Sequence, residues 1–144
     1  MRMRTWRSAL VLIALVFSAC SEAPKLGEVP ACGSSCLVSF ARTGGFASGF
    51  DTLVVNTDGS VTRFTQRTVT HGTAPPDAMS QLRMLLASDD FRKLEASYSG
   101  GSVRDGVAYT IQTSAGKRIV ASGGYPEVLK QVISACEAVL FSRP

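Results

Sequence analysis

The stretch from Phe50 to Thr65, FDTLVVNTDGSVTRFT, constrains the fold more than any other part of the chain. Two runs rich in β-branched and aromatic residues flank Asn56-Thr57-Asp58-Gly59. An Asp-Gly pair supplies the positive φ that a tight hairpin turn needs, so the segment predicts two antiparallel strands. A hairpin alone is marginal in water and requires further strands or a helix against its apolar face.

The rest of the chain supplies both. Leu37–Arg42 reads as a short apolar strand, interrupted by the glycines that follow. A polar stretch from Thr68 to Pro76 leads into a helix opened by Pro76 and Asp77, with Met79, Leu82, Leu85 and Leu86 at helical spacing. Ser88 with Asp89 and Asp90 reads as the cap and acidic first turn of a second, short helix that buries Phe91 and Leu94. Val107–Thr113 alternates as a half-buried strand, and Ala115-Gly116 turns it into Lys117–Ala121. Pro126 starts a last helix whose stripe is Leu129, Val132, Ile133, Cys136, Val139 and Leu140. Strand, hairpin, helices, hairpin, helix predicts an α+β domain: an antiparallel sheet of two hairpins plus an amino-terminal strand, with helices packed on one face.

Charge locates a different kind of segment at the amino end. The 144 residues carry a net charge of +4, yet Arg2, Arg4 and Arg7 precede an apolar run from Ala9 to Phe17. Those three come from 15 basic residues, leaving 12 against 11 acidic ones beyond Cys20, a net of +1. A nearly neutral remainder has no broad electrostatic footprint for nucleic acid or anionic lipid. Residues 1–19 read as a secretory signal, because nine apolar residues are too few to span about 30 Å of hydrocarbon. Phe17-Ser18-Ala19-Cys20 resembles the bacterial lipobox, with Phe17 where Leu is commonest. That resemblance implies cleavage before Cys20, lipidation of its thiol and acylation of the new amino terminus; several acyl chains suffice for stable anchoring. With Ser21 next, it also implies the outer membrane, on the periplasmic face. The plain alternative is an ordinary signal peptide with Cys20 unmodified. Residues 20–35 form the lipidated cysteine and a tether, whose segment Ser21–Pro30 reaches at most about 33 Å. Residues 36–144 form one domain.

Three cysteines remain in a disulfide-permissive compartment: Cys32, Cys36 and Cys136. The favoured pairing ties Cys36, or else Cys32, to Cys136 on the last helix. A local Cys32–Cys36 bridge, with Cys136 an inert buried thiol, is the alternative. The lone His71 in a polar loop leaves too few ligands for structural zinc, and no metal or cofactor is implied. No nucleophile–base arrangement accompanies it, so no catalytic residue is assigned. Asp89 and Asp90 read as helix-cap acids, and Asp105-Gly106 as a turn. Arg63, Arg67, Arg92, Lys93 and Arg104 are scattered among acids rather than gathered into a nucleic-acid groove.

What stands out is Thr43-Gly44-Gly45-Phe46-Ala47-Ser48-Gly49-Phe50. Either the glycines simply permit Phe46 or Phe50 to bend back into the core, or this is a recognition loop on a rigid scaffold. Arg42-Thr43-Gly44-Gly45-Phe46-Ala47, the strand from Asp51 and Asp58-Gly59 resemble the emfourin family of proteinaceous inhibitors. The leucine helix, Phe91, Leu94, Tyr98, Asp105, Tyr109-Thr110-Ile111, Pro126 and Leu129 extend the likeness over residues 37–141. It implies inhibition of thermolysin-like zinc metalloproteases. Family patterns often place Gly directly after the small residue; here Ser48-Gly49 makes the loop one residue longer. Envelope domains of unknown function share the hairpin and helix order but carry a Cys-Phe-Gly-x-Cys-Pro segment that this chain lacks. The expected function is therefore a lipid-anchored, non-enzymatic protein-binding module that occludes a secreted or periplasmic metalloprotease. The alternative is a structural or assembly lipoprotein with another envelope partner.

Overall fold

Alternating side chains along the strands sort this chain into a core-facing and an outward-facing set, and that sorting organises the fold. A computed structural model describes residues 28–45, 49–100 and 106–142. In chain order the elements are β1 (Cys36–Gly44), β2 (Gly49–Asn56), β3 (Ser60–Phe64), β4 (Val69–Thr73), α1 (Pro76–Ala87), α2 (Asp89–Arg92), β5 (Ser97–Tyr98), β6 (Ala108–Thr113), β7 (Arg118–Ala121) and α3 (Glu127–Leu140). The strands form a seven-stranded sheet in the order β4-β3-β2-β1-β6-β7-β5. Sheet plus helices make the fold α+β.

One row of side chains crosses the sheet. Arg63 pairs with Leu53, Leu53 with Phe40, Phe40 with Ile111, and Ile111 with Ile119. Beside it lies a second row of Val61, Val55 and Val38. These apolar residues share one buried cluster with Met79, Leu82 and Leu85 of α1, Phe91 of α2, and Leu129, Val132 and Val139 of α3. Among the described residues that cluster runs from Val38 to Leu140, so residues 21–144 carry all of it.

Local chemistry sets the element ends. Gly59, at φ +88°, closes the β2–β3 turn, where its amide donates to the Asn56 carbonyl at 3.0 Å. The Asp58 carboxylate accepts from the Ser60 amide and hydroxyl at 2.8 and 2.7 Å. These two bonds, the hydroxyl's first, hold its pKa below the usual 3.8. Ser88 caps α2, its hydroxyl accepting from the Phe91 amide at 3.2 Å. Pro126 stands at the cap of α3 rather than at its first turn. The other end of α3 is closed by Arg63, which donates to the Val139 carbonyl from Nε (3.1 Å) and Nη2 (2.9 Å) and to the Ser142 hydroxyl at 2.7 Å. A cation on the last carbonyls suits the negative end of the helix dipole, and this buried charge is held there through its Nε and Nη2.

Three further expectations are corrected. The sheet is mixed, because β5 runs parallel to β7. Its backbone reaches β7 through the Val120 amide on the Ala96 carbonyl and the Ser122 amide on the Tyr98 carbonyl, both at 2.9 Å. The polar stretch after Thr68 is an edge strand, β4, and His71 lies within it opposite Thr62 rather than in a loop. Finally, the disulfide is Cys32–Cys36, with Cα atoms 5.2 Å apart, while Cys136 is a free buried thiol. The two paired cysteines are four residues apart in sequence at the entry to β1, while Cys136 lies within the apolar cluster on α3.

Candidate functional site

The loop singled out in the sequence is the connection between β1 and β2. Arg42 pairs with Asp51, Thr43 with Phe50, and Gly44 with Gly49 at its root. Gly44 and Gly45 sit at φ +93° and +89°, a region open to glycine and strained for other residues. A Cβ on Gly44 would collide with the Gly106 carbonyl oxygen, and one on Gly45 would touch Val107 Cγ2 at 3.5 Å. The Thr43 hydroxyl donates to the Ala108 carbonyl at 3.4 Å. A Cβ on Gly124 would in turn meet the Gly100 carbonyl at 3.2 Å. Glycines thus let three connections (β1–β2, β5–β6 and β7–α3) close on one another at one end of the sheet.

Thr43, Gly44, Gly45, Gly49 and Phe50 all take part in this arrangement. Phe50 is half-buried and stands on the face away from the core row, outside the apolar cluster. Phe46, Ala47 and Ser48 lie outside the described residues, as do Cys20 and Asp105.

Beneath the loop root a polar cluster fixes α3 to the sheet. Arg42 lies between two carboxylates, Nη1 at 3.8 Å from Asp51 Oδ2 and Nε at 3.6 Å from Glu137 Oε1. Both separations exceed hydrogen-bond length, so these are loose ion pairs on a half-exposed side chain. The guanidinium also stands over the Phe141 ring, 5.7 Å from its centroid. Tyr109 donates its hydroxyl to Glu137 Oε1 at 3.2 Å and packs between Phe40 and Tyr125 at 5.8 and 6.4 Å. Burial, then the neighbouring Glu137 carboxylate, raises the pKa of its phenol. Both acids face the Arg42 guanidinium, so the cluster is suited to positioning the loop root.

Elsewhere, Asp89 pairs with Arg92 at 3.0 Å. His71 Nδ1 lies 3.2 Å from the Thr62 hydroxyl on the exposed edge, and among the described residues no carboxylate forms an ion pair with that imidazole. Among the described residues no group of three His, Cys, Asp or Glu could hold a metal ion, and no helix is long and apolar enough to cross a membrane. Sequence reading passed over Glu137, and it took Gly106 and Gly124 only as breaks between elements, without their contacts to Gly44 and Gly100. The signal for the two glycines was present in the Gly-rich breaks after Tyr98 and Ala121; Glu137 sits beside the apolar stripe of α3 and reads there as a solvated residue.

Comparison with protein-family models, with curated proteins and with solved structures finds no match for this chain.

Proposed function

We propose that this protein is a protein-binding module whose contact surface is the loop Thr43–Phe50, and that its partner is a thermolysin-like zinc metalloprotease whose cleft the loop occludes. The observation that carries this reading is the seating of Gly44 against Gly106. A hairpin root held by a second connection offers its partner a preorganised surface, which lowers the ordering cost of binding. Phe46 is the intended anchor, since aromatic residues dominate interface energetics. The emfourin-like run Arg42–Ala47 supplies the partner class. Inhibition is steric, by exclusion of substrate.

The same reading places the module on the cell envelope, held by lipid on Cys20 through the Ser21–Pro30 tether, with helices packed on one face of the sheet. Chain direction supports this orientation. The tether enters at Cys36, and the loop leaves β1 at Gly44, about 26 Å away along the strand. A membrane-anchored module would therefore hold its loop outward.

The test is a titration of residues 21–144 against a thermolysin-like protease with a fluorogenic peptide. Activity falls to zero at one equivalent while the inhibitor stays intact. Phe46→Ala weakens inhibition by about thirtyfold, as expected for an interface anchor worth about 2 kcal/mol, and leaves the melting temperature nearly unchanged. If Phe46 instead belongs to the core, the substitution costs about 3–5 kcal/mol of stability.

A further inference from the structure

The end of the sheet opposite the loop holds a cavity of about 400 Å³. It lies where the start of β1, the end of α1, α2 and the β6–β7 turn meet. Leu37, Leu86 and Phe91 give it an apolar floor, and Arg83, Arg92 and Lys117 stand on its rim. None of the residues lining it is acidic.

The three cations are not equivalent. Arg92 is neutralised by Asp89 at 3.0 Å and also donates to the Ala87 carbonyl. Lys117 donates to the carbonyls of Arg92 and Leu94 at 2.8 and 2.7 Å, with its ammonium 5.9 Å from the centre of the Phe91 ring. Arg83 donates to the Thr57 carbonyl at 2.7 Å. Among the described residues neither Lys117 nor Arg83 has a carboxylate within ion-pair distance. Backbone carbonyls therefore hold both side chains in place and leave their charge uncompensated. An ammonium has three N–H donors and a guanidinium five, so each retains donors for a ligand.

We propose that this cavity binds a small amphipathic carboxylate, an acyl or aryl acid whose apolar body lies on Leu37, Leu86 and Phe91 and whose anion meets Lys117 and Arg83. The volume lies within the range of small-molecule sites. A charge-assisted hydrogen bond to a preorganised cation fixes orientation, and removal of apolar surface from water supplies the rest. A cationic amphiphile of the same length has the same apolar term and the wrong sign at the rim.

The test uses ¹⁵N-labelled residues 21–144, which carry the whole described core, and two eight-carbon probes of opposite charge, octanoate and octylammonium. Octanoate produces saturable shifts in the amides of Leu37, Leu86, Phe91 and the β6–β7 turn, and octylammonium produces none. Lys117→Met weakens octanoate about tenfold or more, the usual scale for a bond to a charged group. Should that variant fail to fold for want of its two carbonyl bonds, the exposed Arg83→Gln decides, with a loss of the same order. Equal binding of octylammonium, or no saturable shift at these amides, overturns the proposal.

Discussion

Gly44 and Gly49 face each other across the root of one hairpin, yet a methyl group would meet very different surroundings at each. At Gly44 it meets the Gly106 carbonyl, on a backbone already at positive φ; at Gly49 it has no atom within 4 Å. Gly44→Ala should therefore destabilise the domain by about 1–3 kcal/mol or more, and weaken inhibition with it. Gly49→Ala should change stability by no more than about 0.5 kcal/mol. Thermal melts of the two variants separate the cases. Cys136 gives a second residue-scale expectation. Burial first, and then Glu137, pushes its thiol far above the usual range, so no thiolate is available in the folded state. Residues 21–144 should show no thiol reactive to Ellman's reagent until unfolded, and then one. Asp58 gives a third. Its folded pKa is depressed, so its contribution to stability is present above the ordinary 3.8 and is lost as pH falls through the folded value. Asp58→Ala should melt below the parent at neutral pH, with the gap narrowing as the pH falls below the ordinary 3.8.

At the scale of elements, what could be read from sequence depended on how much side-chain periodicity each element needed. β2 and β3 carry alternating apolar residues around Asp58-Gly59, and α3 carries a stripe from Leu129 to Leu140, so both show in the residue order. β4 does not, because Val69–Thr73 is an exposed edge held by backbone pairing to β3, and its side chains face water. β5 spans two residues, too few for any period, and its parallel pairing depends on where α2 delivers the chain. The cysteines were misjudged for a related reason. Sequence shows that Cys136 lies on the apolar stripe of α3, but not which end of β1 that stripe crosses. The bond forms instead between Cys32 and Cys36, four residues apart, and Cys136 stays a free thiol inside the cluster. In the candidate site, the glycine run was legible as a loop. Its seating on Gly106 was not, since that contact joins residues 62 positions apart.

On the scale of the whole molecule, two surfaces lie at opposite ends of β1. One end gathers three glycine-bearing connections, the Thr43–Phe50 loop among them; the other holds an apolar cavity rimmed by cations next to the point where the tether enters. The two proposals separate cleanly, because Arg83→Gln should leave protease inhibition unchanged and Phe46→Ala should leave octanoate binding unchanged. The loop carries the proposed inhibition. The measurement that tests it most directly is the titration of residues 21–144 against a thermolysin-like protease, followed by recovery of the inhibitor. Stoichiometric loss of activity with the domain intact is the expected result. Full protease activity at excess domain, or digestion of the domain as a substrate, would contradict it.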